Sequence, residues 1–342
     1  QRGSAVPGKI RLPLVVAALN RDKLDPSGWD HLRRETAAPK IPLLNTGTFI
    51  AVPESDTLRT PTPSLVVPAE PTLRIRPTKG WAALNLRELS QYRDLLWILV
   101  ERNIKVIYKQ TALGIAWVAL QPLIASTILA IIAGRVAKLP SDGTPHLLFV
   151  FCGLTIWNYF SQTAQRSSTS LVNNAQLVSK VYFPRMLIPL SHTFSTLVDL
   201  AVTLIMLFVF MAIYHVVPTI RLLAIPGFLF LTAITATGIA LWFSALSVKY
   251  RDTNYALPLF LQIWMWASAI IYPTSMIQSA RGQILFSLNP VVGFVEGFRW
   301  CVLGKSALNA PMLWITVGMS VFALFTGAYF FRRVEREFAD II

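Results

Sequence analysis

The chain has 342 residues, 54% of them hydrophobic and 14% charged, with a mean hydropathy of +0.53. A soluble domain carries about a quarter charged residues, so this composition excludes an ordinary soluble enzyme and predicts a chain that crosses a bilayer several times. Lys and Arg total 31 against 17 Asp and Glu, a net charge of +14. That excess collects in the first eighty residues and beside apolar segments instead of on one soluble module, which argues against nucleic acid as a partner. Two cysteines, Cys152 and Cys301, are too few for a disulfide framework or a four-ligand zinc site.

Residues 1–80 hold 11 of the 22 prolines and no apolar run long enough to span a membrane. Each proline removes a backbone donor and turns its predecessor away from the helix, so this stretch reads as a flexible, Pro-rich cytoplasmic tail. The run Lys9 to Leu19 mimics a short signal peptide, but Pro13 interrupts it. From Trp81 the texture changes. Asn85 and Glu88 have capping-box spacing, and Leu89, Tyr92, Leu96 and Leu99 recur at helical intervals opposite Arg87, Arg93, Arg102 and Lys105. This is an amphipathic helix suited to the membrane interface or to a partner protein beneath it.

Six segments are then apolar enough to cross about 30 Å of hydrocarbon, near 112–133, 147–164, 187–214, 222–246, 256–272 and 312–331. Between the fifth and sixth, Pro273 to Pro311 is broken by Gly282, Pro290, Gly293, Gly297 and Gly304, and its two short apolar pieces predict re-entrant external helices. The expected fold class is therefore an all-α integral membrane protein with six transmembrane helices, preceded by an amphipathic interfacial helix. Among the short flanks, one side of the membrane takes thirteen Lys and Arg and the other takes six, which places both termini in the cytoplasm.

Catalytic patterns are absent: no HExxH, GxSxG or DxD occurs, and His31, His146, His192 and His215 are scattered. Gly304-Lys305-Ser306 looks like the end of a phosphate loop, but Arg299 stands where its first glycine is required. No cofactor is expected on this chain. Within the spans the clear acid is Asp199, seven residues after His192 and on the same helix face; a carboxylate there should face the bundle interior, as a packing or hydrogen-bond site or as an ion-coupling pair. The spans also carry Trp117, Asn158, Gln162, Gln262, Trp264, Trp266 and Tyr272. Tryptophan and tyrosine anchor in headgroups, or they offer flat faces to sugar rings whose hydroxyls pair with Asn and Gln. Trp117, Trp264, Trp266 and Tyr272 are the candidates for such a channel lining.

Several ordered runs carry a family likeness. Tyr92-Arg93-Asp94-Leu95-Leu96, then Tyr108-Lys109-Gln110-Thr111-Ala112-Leu113-Gly114-Ile115-Ala116-Trp117 with Gln121-Pro122, resembles the entry to the permease domain of ABC-2 type exporters. Leu177-Val178-Ser179-Lys180-Val181-Tyr182-Phe183-Pro184-Arg185, Tyr250-Arg251-Asp252, Asn289-Pro290 leading to Phe298-Arg299, and Phe338-Ala339-Asp340-Ile341-Ile342 extend the likeness over 81–342. Within that family it looks like the branch that exports O-antigen, teichoic acid and related lipid-linked polysaccharides.

The resemblance implies a permease subunit, itself no enzyme, that sits in the bacterial inner membrane as a homodimer. It implies pairing with two ATP-binding subunits, which hold the ATP and Mg that this chain lacks. It also implies that Leu177, Lys180, Tyr182, Phe183 and Arg185 belong to the segment that couples to the ATPase. The alternatives are an ABC-2 permease for small molecules and a membrane-embedded glycosyl- or acyltransferase; the latter should show clustered acids or a loop histidine, and no such cluster occurs in the sequence.

Overall fold

The computed structural model of this chain describes residues 90–109, 114–180, 183–277, 279–304, 310–335 and 338, all within the compact unit Trp81–Ile342. The tail, the Asn85/Glu88 pair, Tyr182, Lys305, Ser306 and 339–342 lie outside the described residues. Ten α-helices occur among those described: α1 Arg93–Tyr108, α2 Ala116–Ile131, α3 His146–Asn173, α4 Ala175–Lys180, α5 Leu187–Ile213, α6 Ile225–Lys249, α7 Thr253–Trp266, α8 Ala280–Ser287, α9 Pro290–Leu303 and α10 Ala310–Glu335. No strand appears among the described residues.

Among the described residues, four helical stretches are long and apolar enough to cross a membrane: α2 with its π-helical extension (Ala116–Val136), α5, α6 with its leading 3-10 turn (Ile220–Lys249), and α10. The expected segments near 147–164 and 256–272 form helices of another kind. α3 has 28 residues, about 42 Å at 1.5 Å per residue, but its second half is rich in Ser, Thr and Gln. It tolerates them because α2, α5, α6 and α9 pack around it. Thr163 Oγ1 lies 2.7 Å from Thr196 Oγ1, Ser167 donates to the Pro189 carbonyl at 3.1 Å, and Ser247 donates to the Ser168 carbonyl. Buried hydroxyls satisfied in this way cost little and fix the register of neighbouring helices.

α7 has 14 residues and reaches about 21 Å, short of the hydrocarbon thickness. It ends at Trp266 because the backbone beyond finds other partners. Ala269 adopts φ +54, and Arg299 of α9 donates to the carbonyls of Ala269 (2.8 Å) and Ile270. Glu296 accepts from the Thr274 N–H at 3.3 Å and pairs with Arg299 at 3.2 Å. The α8–α9 hairpin that follows matches the two short helices expected there, and α9 is buried along nearly its whole length.

The core falls into two clusters. One gathers α3, α5, α6, α7 and α9 around Phe149, Phe151, Phe160, Phe294 and Phe298. The other joins Leu99 of α1, Leu171 of α3, Val178 of α4, Phe183, Leu187 and Ile188 at the start of α5, and the far ends of α6 and α10. The apolar stripe of α1 is thus set against protein: Leu99 and Val100 are buried, whereas Trp97 and Val106 remain exposed. α6 and α10 approach most closely where Gly238 faces Gly327; a Cβ on Gly327 would lie 2.1 Å from the Gly238 carbonyl oxygen. Small residues at such a crossing let two backbones touch, a recurring device between membrane helices.

Candidate functional site

A cleft of about 640 Å³ lies between α2, α3 and α7. Asn158, Ser161, Gln162, Gln165 and Arg166 reach it from α3, and their spacing of three and four residues puts them in one stripe. Gln121 faces them from α2, and Gln262 and Trp266 from α7. Five side-chain amides therefore converge, each able to donate and accept, together with one guanidinium and a half-exposed indole. Among the described residues no acid, histidine or cysteine lines this cleft; its amides can exchange hydrogen bonds with hydroxyl-bearing surfaces, and its indole offers them a flat apolar face. Gln165 and Arg166 escaped the reading by hydropathy because they fall past the apolar run of the second segment. Their place at i+7 and i+8 from Asn158 was the available signal.

The four aromatic candidates separate. Trp266 borders the polar cleft, and the Tyr272 hydroxyl lies 3.4 Å from its carbonyl oxygen. Trp264 points to the other side of α7. It packs edge-on against Phe160 and Phe260 at centroid distances of 5.2 and 5.3 Å, and its indole N–H donates to Asn289 Oδ1 at 2.9 Å. There it lines a second, mainly apolar cleft, also about 640 Å³, with Phe243 and Leu246 of α6 and Met319 and Phe322 of α10. Trp117, half-exposed at the start of α2, borders neither cleft.

The end of α7 that carries both tryptophans is bracketed twice by α9. Asn289 caps α9 by accepting from the Val291 N–H at 3.1 Å and donates to the Ala267 carbonyl (3.3 Å) and Ser268 Oγ (3.0 Å), in addition to holding Trp264. Arg299, fully buried, holds the next two carbonyls, with its guanidinium 3.6 Å from the centroid of the Phe149 ring. These side chains satisfy backbone that leaves the helix in an apolar setting, the condition under which such backbone persists there.

At the other end of the bundle the expected coupling residues divide as well. Lys180 is exposed on α4, and Leu177 packs partly on the second core cluster. Phe183 is buried in that cluster, and Arg185 donates from Nη1 to the Glu335 carbonyl at 3.0 Å at the end of α10. α1 closes over the same region: Arg102 Nη1 donates to Asn174 Oδ1 at 2.8 Å, and Asn103 donates to Ser191 Oγ at 2.9 Å. Val178 of α4 thus shares one core cluster with Leu99 of α1, Leu187 of α5 and Phe331 of α10.

Asp199 does not pair with His192. Its Oδ2 lies 2.7 Å from Arg166 Nη2, and its Oδ1 accepts the Tyr108 hydroxyl. Burial, followed by the bond to Asp199, pushes the Tyr108 phenol above its ordinary pKa, so it stays protonated and donates.

The chain aligns with an O-antigen export system permease protein, RfbA, of Myxococcus xanthus at 27% identity over 259 residues, 75% of this chain and 98% of the relative. A protein of the same description from Klebsiella pneumoniae is 26% identical over 250 residues, 73% of this chain and 95% of the relative. Residues 94–303, covering α1 to the end of α9, match the family described as ABC-2 type transporter. With its helical bundle, its four apolar crossing helices and that match over more than half its length, the chain belongs to the ABC-2 type transporter family.

Proposed function

We infer that this chain is the permease subunit of an ATP-driven exporter that moves a lipid-linked polysaccharide, such as an O-antigen or teichoic acid, across the bacterial inner membrane. The observation that carries this reading is the likeness to export permeases over 98% of the length of the Myxococcus relative, joined to a cleft whose amides and indole suit sugar hydroxyls and ring faces. α3 and the α7 segment complete six crossings with the four apolar helices, α7 finishing through the bracketed backbone and the α8–α9 hairpin. Both termini then face the cytoplasm, and α1 and α4 lie on that side.

Two copies of the chain pair with two ATP-binding subunits that carry ATP and Mg. Closure of those subunits pushes on α4, where Lys180 offers a charge, and the motion passes to α5 and α10 through Phe183 and Arg185. The first and fifth crossings of the two protomers separate, and the glycan slides along weak, repeated amide and aromatic contacts without a single deep site. Reconstituted vesicles test this: glycan enters the lumen with ATP and the partner subunit present, and translocation by the permease alone would defeat the mechanism. The apolar cleft beside Trp264 favours a second reading, a small hydrophobic cargo, which predicts that such a compound and not a glycan stimulates ATP hydrolysis.

A further inference from the structure

An ion pair sits where apolar packing would serve stability equally well. Asp199 is 5% exposed in the apolar helix α5, and replacing a buried pair with hydrophobic residues is often neutral or stabilising. Its geometry links three helices. Tyr108, in the last turn of α1, donates to Asp199 Oδ1; Asp199 Oδ2 holds Arg166 Nη2; and the same Nη2 donates to Gln162 Oε1 at 2.6 Å. Arg166 and Gln162 line the polar cleft, whereas Asp199 lies behind them, next to Thr196 and Thr203. Arg166 Nη1 is buried with no hydrogen-bond acceptor among the described residues, so the guanidinium has capacity to re-pair.

We propose that Tyr108, Asp199 and Arg166 form a relay that carries motion of α1 into the wall of the polar cleft, with Tyr108 as its positioning residue. When α1 shifts, the hydroxyl leaves Asp199. The carboxylate, in a setting of low dielectric, must then recruit more from Arg166. The guanidinium turns, and Gln162 loses its donor and is freed to face cargo. Two further α1 hydrogen bonds, Arg102 to Asn174 and Asn103 to Ser191, hold the helix in place and reach no residue that lines the cleft. The relay rests on the export reading only in taking α1, which shares a core cluster with α4, as an element that moves when an ATP-binding subunit pushes on α4.

The test uses the full chain assembled with its ATP-binding subunit, spin-labelled through Ile131→Cys on α2 and Ile263→Cys on α7, both exposed positions. The unaltered relay should give an ATP-dependent change in the label distance. Tyr108→Phe, which removes one oxygen, should reduce the shifted population by about five-fold, the scale of an ordinary coupling energy, while ATP hydrolysis stays as before. Arg166→Gln with Asp199→Asn keeps the site neutral and folded and should show the same loss; a merely structural pair would leave the shift intact in this double variant. Retention of the full shift in either variant, or no ATP-dependent shift in the unaltered chain, overturns the relay. Because the readout needs no cargo, a complex that shifts as expected yet exports no glycan would refute the export reading alone.

Discussion

Trp264 and Trp266 stand two residues apart on α7 and meet different surroundings, so their roles separate by experiment. Trp266→Ala should lower glycan export about five-fold, the loss of roughly 1 kcal/mol of aromatic contact, with the melting temperature of the complex unchanged. Trp264→Ala removes packing on Phe160 and Phe260 and leaves Asn289 without its indole donor; it should lower the melting temperature by the equivalent of about 3 kcal/mol. Equal effects of the two on export and stability would contradict this division. Arg299→Leu strands Glu296 and two backbone carbonyls and should destabilise by about 3–5 kcal/mol. Melting curves should also show Arg299→Lys as a partial loss, because an ammonium lacks the guanidinium's fork for two carbonyls.

Among the elements, α6 and α10 are fastened by the absence of side chains. Gly327→Val would drive a Cβ into the Gly238 carbonyl and force the helices apart. The expected result is a drop in the yield of folded protein in detergent, whereas Gly318→Ala on the same helix, with open space around it, should have no such effect. α3 and α7 show how far hydropathy reaches. The apolar run predicted near 147–164 is the first part of α3, and the helix continues nine residues further through Gln165, Arg166 and four serines and threonines. It does so because neighbouring helices satisfy those groups. The run near 256–272 was apolar to its end, yet the helix stops at Trp266, because Arg299 and Asn289, more than twenty residues away, capture its backbone.

For the whole molecule, the described structure belongs to the unit that begins at Trp81, and the family match begins at residue 94. If export and assembly reside in Trp81–Ile342, as the proposed function expects, a chain lacking residues 1–80 should form the complex and move glycan at the rate of the full chain. Vesicle transport by the truncated complex checks this, and a loss of assembly would assign the tail a part in it. The two core clusters sit at opposite ends of α3, one around the α7–α9 brackets and one around α1 and α4. The Arg166–Asp199 pair joins α3 and α5 between the clusters, which sets it on one route from the second cluster to the cleft wall.

The amino-acid sequence by itself determined the helical class, the apolar character of α2, α5, α6 and α10, the short hairpin and the family likeness. Each of these follows from local composition and period, which the chain carries wherever it folds. The polar cleft, the split between Trp264 and Trp266 and the pairing of Asp199 with Arg166 and Tyr108 were decided by tertiary structure alone. They depend on which helix faces which across tens to more than a hundred residues of chain, and burial changes the partner of a polar group without altering its letter.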